Sequence, residues 1–95
     1  MRRPHVEWMT RADDAILEFL LNEGNRPLIV TPGVIEANIA YALSSINQRL
    51  RKLKAAGLVD YHDEERGLYK ITEKGEQYLS GEISPEDLTL EDFLE

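Results

Sequence analysis

Ser44, Ser45, Gln48, Arg49 and Lys52 bring hydroxyl, carboxamide, guanidinium and ammonium groups together within one short stretch of the chain. Such groups do recognition chemistry. A carboxamide or guanidinium can bond two atoms of a base edge at once, while hydroxyls and ammonium groups suit phosphate. The stretch that carries them is ALSSINQRLRKLKAAGLV, residues 42–59, in which Leu43, Ile46, Leu50 and Leu53 recur at spacings of three and four. That spacing describes one apolar face of a helix. At about 100° per residue, the five polar residues are expected to fall away from this face. A helix that buries one side and shows Ser, Gln, Arg and Lys on the other is suited to reading a major groove. The alternative left open by these residues alone is a polar face that simply meets water.

The remaining composition narrows the choice. The chain has 95 residues, 42% hydrophobic and 31% charged, enough for one domain with one modest core and too apolar for a disordered chain. It contains no cysteine, so disulfides and thiolate–zinc sites are excluded and an intracellular setting is expected. His5 and His62 are the only histidines, and both lie in polar surroundings that do not suggest a metal site. The sequence has no nucleophile with a neighbouring base, no glycine-rich phosphate loop and no metal-ligand spacing. The expectation is a protein that is not an enzyme and uses no cofactor or metal. No apolar run approaches the ~20 residues of a membrane span, and no secretory pattern opens the chain, so a cytoplasmic location is expected.

The net charge of −7 looks unfavourable for a nucleic-acid partner. Its distribution changes the picture. Residues 82–95 contain six acids and no base, which leaves residues 1–81 with a balance of −1. Arg49, Arg51, Lys52 and Lys54 form the dense basic cluster. Seven of the 11 bases are Arg; a lysine-poor, acid-rich chain fits life at high salt, where counterion release contributes little and base contacts and shape contribute more.

Read in order, residues 1–9 form an irregular arm whose Arg2 and Arg3 would suit a minor groove or simply fray. Thr10 opens a helix, paired with Asp13 in a capping-box pattern. Ala12, Ile16, Phe19 and Leu20 form its apolar stripe, and Gly24 is expected to close it. Leu28–Val30 reads as a short strand. Thr31 and Pro32 read as a cap with proline in the first turn of a second helix, with Val34, Ile35 and Ile39 inward. After the long helix, Gly57 is expected in the left-handed conformation. Residues 58–63 and 68–72 form a hairpin with Gly67 at its turn. Thr72 caps a further helix containing Tyr78 and Leu79, and Ser84-Pro85 suggests a short terminal one. Three helices with a small antiparallel sheet, the strand at Leu28–Val30 completing three strands, make a winged helix-turn-helix: mainly α, with the hairpin as wing.

INQRLRKLKAAGLV and YKITEKGEQYL resemble winged-helix transcription regulators of archaea and bacteria. WMTRADDAILEFL and NIAYALSSINQRLRKL resemble more narrowly the small haloarchaeal regulators similar to the phi-H phage repressor. The resemblance covers residues 8–82 and implies a winged-helix domain over 10–81, with 82–95 as an acidic tail or short helix. It implies sequence-specific binding of double-stranded DNA, as a repressor and a homodimer, with residues 43–56 in the major groove. Carried over by position, Ser44, Ser45, Gln48 and Arg49 face base edges and nearby phosphates, Gln48 suiting adenine and Arg49 guanine. Lys52 suits phosphate, Thr31 would offer a backbone N–H to one, and Arg66 is the base on the wing.

Two features depart from the family. Ala42 stands where a capping Ser, Thr or Asp is common, and a missing cap costs about 1 kcal/mol. The wing tip, Asp63-Glu64-Glu65, is acidic and repels phosphate. Both the tip and the acidic tail fit an alternative, a winged-helix protein-interaction module with a protein partner bound through the tail.

Overall fold

The computed structural model describes residues 9–83. Its elements are α1 (Arg11–Leu21), α2 (Pro32–Asn38), α3 (Leu43–Ala55), β1 (Val59–Asp63), β2 (Leu68–Ile71) and α4 (Glu73–Ser80). Residues 1–8 of the arm expected at 1–9, and the terminal helix expected after Ser84, lie outside the described residues.

Each element starts and stops for a local reason. The Asp13 carboxylate reaches back to accept the Thr10 N–H at 2.7 Å and its hydroxyl at 3.3 Å, which satisfies a donor at the start of α1. Thr31 Oγ1 accepts the Val34 N–H and Pro32 occupies the first turn of α2. At the end of α3, Gly57 adopts a φ of 82°. Its N–H reaches the Lys54 carbonyl while the Leu58 N–H reaches that of Leu53, the paired closure that a left-handed glycine makes possible. β1 and β2 pair antiparallel around a turn that contains Gly67, with a bulge between Tyr61 and Asp63.

The core lies where α1, α2 and α3 meet the hairpin. Ile16, Leu17 and Leu20 of α1, Ile35 of α2, and Ile46, Leu50 and Leu53 of α3 have no exposed surface. Leu58, Val59, Ile71 and Tyr78 close it from the sheet and α4, and Met9 joins it from the end of the expected arm.

Several expectations need correction. Asn22, not Gly24, is the left-handed cap of α1; an Asn side chain tolerates that conformation, and its Nδ2 donates to the Arg26 carbonyl at 2.9 Å. The strand expected at Leu28–Val30 shrinks to a single bridge in which Val30 and Tyr69 exchange both backbone bonds. The sheet therefore has two strands. Val34 and Leu43, expected inward, are 42% and 43% exposed.

Thr72 binds the pieces behind the wing together. Its hydroxyl donates to the Gly57 carbonyl at 2.6 Å and accepts the Gly75 N–H at 3.1 Å. One side chain thus caps α4 and holds the exit of α3. Gly75 then lies so close that a Cβ there would meet the Leu58 carbonyl oxygen and the Ile71 side chain. In an open helix, Gly→Ala gains about 1 kcal/mol. Gly75→Ala should reverse that sign and destabilise the fold by about 1–3 kcal/mol, as overpacking does, read as a lower urea midpoint. A more stable variant would mean that α4 does not seat this tightly.

Candidate nucleic-acid interface

The buried side of α3 contains Ile46, Arg49, Leu50 and Leu53. Ser44, Ser45, Asn47, Gln48, Arg51 and Lys54 are exposed, and Lys52 is half-buried. The helix therefore does present a polar and basic surface, but its membership differs from the one expected. Arg49 is the correction. Expected to face a base edge, it is buried, and its Nη1 lies 3.3 Å from Asp13 Oδ2 of α1. Arg49 follows Ile46 by three residues and precedes Leu53 by four, so helical spacing already sets it on the buried side. Its charge suggested a surface position that its spacing contradicts. The same arithmetic brings to the exposed side Asn47, which has no charge to draw attention to it, and Arg51, expected only as part of the basic cluster.

The other expected positions are spread across the face and beyond it. Ser45 and Gln48 line a groove of about 390 Å³ with Thr10, Ala12, Tyr41 and Arg49. It runs between the start of α1 and the flank of α3. Ser44 is exposed in the first turn of α3, which Ala42 precedes without a side-chain cap. The nearby Asn38 side chain does not reach it either, donating instead to the Val34 carbonyl at 2.7 Å. Thr31 is half-buried, its side chain engaged in its own helix start. Arg66 sits in the wing turn with its Nε 3.5 Å from Asp63 Oδ2. That exposed pair is worth little energetically, but it turns the wing cation toward the wing's own acid.

On the opposite flank of α3, Lys54 Nζ lies 5.2 Å from the centroid of the Tyr61 ring. Tyr61 packs on Tyr69 with centroids 4.8 Å apart, and the Tyr69 hydroxyl donates to that of Tyr61 at 3.3 Å. Burial, then the Tyr61 contact, push the Tyr69 pKa up to about 12. Among the described residues there is no acid–histidine cluster able to hold a metal, and no helix is long and apolar enough to cross a membrane.

Comparison with known proteins gives a consistent result. The family model of the winged helix-turn-helix phage repressor matches residues 1–91. The repressor protein of Halobacterium phage phiH is 38% identical over 85 residues, which cover 87% of this chain and 92% of that protein. The crystal structure of the PhiH1 repressor-like protein from Haloarcula marismortui superposes with a TM-score of 0.72 at 37% identity, covering 90% of this chain and 92% of that one.

The Asp13–Arg49 pair makes two outcomes measurable. Arg49→Ala leaves a buried carboxylate without its cation, a loss of about 3–5 kcal/mol at neutral pH, visible in thermal or urea unfolding without any DNA. A base-reading arginine on the surface would change stability by no more than about 0.5 kcal/mol. The second concerns pH. Burial is the largest influence on Asp13 and raises its pKa above the ordinary 3.8, against the Thr10 N–H and the Arg49 charge. The folded state thus holds this proton more tightly than the unfolded chain. Asp13 adds stability as pH falls from its raised pKa toward 3.8, and that contribution is lost as pH rises through the same window. Wild type relative to Asp13→Asn should gain stability on acidification through that window and stay level above it.

Proposed function

The chain belongs to the winged helix-turn-helix phage repressor family, and from that premise we propose that it is a sequence-specific DNA-binding transcriptional regulator, acting as a repressor, with α3 inserted in the major groove. The observation that carries this reading is the division of α3. Ile46, Leu50 and Leu53 are fully buried, while Ser44, Asn47, Gln48 and Arg51 of the same helix are exposed. Burial on one side fixes the helix rigidly, and the other side offers groups of the kind that bond base edges. A helix is about 10–12 Å across, which matches the ~12 Å width of a major groove.

Gln48 takes the base-reading role, as a carboxamide able to bond adenine N6 and N7 together. Ser44 and Ser45 contact base edges or phosphate at the leading end of α3, and Lys52 and Thr31 contact phosphate. Arg66 has a minor part, since Asp63 holds it. Arg49 has no base to read; it positions α3 through Asp13. One recognition helix spans only a few base pairs, so a homodimer on an inverted repeat is the arrangement that gains sufficient specificity.

The protein-interaction alternative draws on the acidic wing tip, but it leaves the exposed basic and amide groups of α3 without a purpose. An enrichment experiment with a random-sequence duplex pool separates the two. The DNA reading expects an enriched inverted repeat whose retention falls with salt; no enrichment over background would overturn it. On the enriched duplex, Gln48→Ala should cost about 1–3 kcal/mol and relax preference at one position of each half-site. An unchanged affinity and preference would remove Gln48 from the reading role.

A further inference from the structure

We propose that a phosphate of the DNA backbone is gripped at the base of the wing by Arg51 and Lys54 of α3 and the phenol hydroxyl of Tyr61, which Tyr69 positions, and that the acidic tip, Asp63 to Glu65, makes no contact with it. This deepens the DNA-binding reading and rests on it.

The placement follows from how a helix fills a groove. Since helix and groove have similar widths, the centre of the exposed face meets the bases and the two flanks meet the two phosphate rails. Arg51 follows Gln48 by three residues and Lys54 follows Arg51 by three. At helical spacing this row leads from the middle of the exposed face to one flank. That flank is the one beside the sheet, because the Lys54 ammonium lies over the Tyr61 ring at 5.2 Å. The charge of Arg51 also reaches Tyr69. Two cations and two phenols therefore share one locality, although they come from two separate elements.

Tyr61 is the phenol placed to donate. Tyr69 spends its proton on Tyr61 at 3.3 Å, and a phenol has one proton to give. The Tyr61 proton is therefore left for an acceptor outside the pair. An O–H donating to a charged oxygen makes a short, strong bond. With the Tyr69 pKa pushed up to about 12, that phenol stays protonated at any working pH.

The tip is unsuited to the same task. Asp63, Glu64 and Glu65 precede Arg66, and Asp63 engages Arg66 through both its backbone N–H, at 3.3 Å, and its guanidinium, at 3.5 Å. A wing that meets DNA through its base rather than its tip reconciles the acidic turn with the basic helix. Glu64, whose charge reaches Tyr69, marks the boundary between the two.

Uncharged and charged contacts respond differently to salt, and this gives the test. Binding is measured on the duplex that the wild-type chain enriches from a random-sequence pool, at several salt concentrations. Tyr61→Phe keeps the ring under Lys54 and removes only the hydroxyl. It should weaken binding by about threefold to tenfold, with base preference unchanged and the salt slope also unchanged, because a phenol releases no counterion. Arg51→Gln and Lys54→Gln should each flatten the slope by about one. Glu64→Gln should tighten binding. If Tyr61→Phe and Tyr69→Phe bind as the wild type does, and Arg51→Gln and Lys54→Gln keep the full slope, the cluster merely braces the wing and the proposal is overturned while the DNA reading stands. A wild-type chain that enriches no duplex overturns both.

Discussion

A buried ion pair sets the rotation of the central helix. Arg49 of α3 and Asp13 of α1 meet at 3.3 Å in a seam otherwise filled by Ile16, Ile46, Leu50 and Leu53. Desolvating two charges costs several kcal/mol each, and part of that is recovered because Asp13 Oδ2 also accepts from the Thr10 N–H and hydroxyl. Oδ1 has no hydrogen-bond partner among the described residues, so the recovery is incomplete, and the raised Asp13 pKa has the same origin. The pair is a poor source of stability, but it is directional where apolar contacts are tolerant. Once Arg49 points into the seam, the 100° step of the helix turns Gln48, Arg51 and Ser44 outward.

A second constraint fixes what lies beside that helix. The left-handed Gly57 turns the chain sharply out of α3, and Thr72 then bonds the Gly57 carbonyl and the Gly75 N–H together. The hairpin between them has little freedom to swing. Its inward residues, Val59, Tyr61, Tyr69 and Ile71, face α3 and the core: Val59 and Ile71 are buried, and the two tyrosines lie half-buried at the margin. The position of Lys54 over Tyr61 follows from this geometry. The wing base belongs mechanically to the same rigid unit as the exposed face of α3, whereas the turn at 64–67 projects beyond it.

The sequence made legible whatever depends on local stereochemistry. Thr31-Pro32, Gly57, Gly67 and Thr72 each occur at the element boundary that their backbone preferences imply. Legibility failed where residue type and helical position disagreed. Arg49 looks like a surface residue by chemistry and a core residue by spacing, and spacing prevailed because Asp13 waited across the seam. Leu43 and Val34 look like core residues, yet each lies near the start of its helix and is left 43% and 42% exposed. Gly24 lost the cap of α1 to Asn22, whose side chain supplies a further bond to Arg26. The strand at Leu28–Val30 was overstated because a three-residue segment can meet the sheet through one residue pair, and composition cannot distinguish a bridge from a ladder. Of the candidate site, the helix was legible and the individual faces of its residues only partly so.

The net charge of −7 looks like an obstacle to the proposed partner, yet its arrangement makes the opposite argument. A chain with bases spread over its surface would adhere to any duplex in many orientations, since phosphate attraction is independent of sequence. Here the dense bases are confined to α3, while the wing turn holds Asp63, Glu64 and Glu65 and residues 82–95 hold six acids without a base. Attraction is available to a duplex that meets α3, and repulsion awaits one that approaches the acidic parts. Like-charge repulsion of this kind removes unproductive encounters without improving the productive one. The same arrangement limits how much affinity can come from ion pairing at all. What remains must come from groups that work without a counterion, amides and hydroxyls placed by a rigid frame, and Gln48, Ser44 and the paired phenols are groups of that kind.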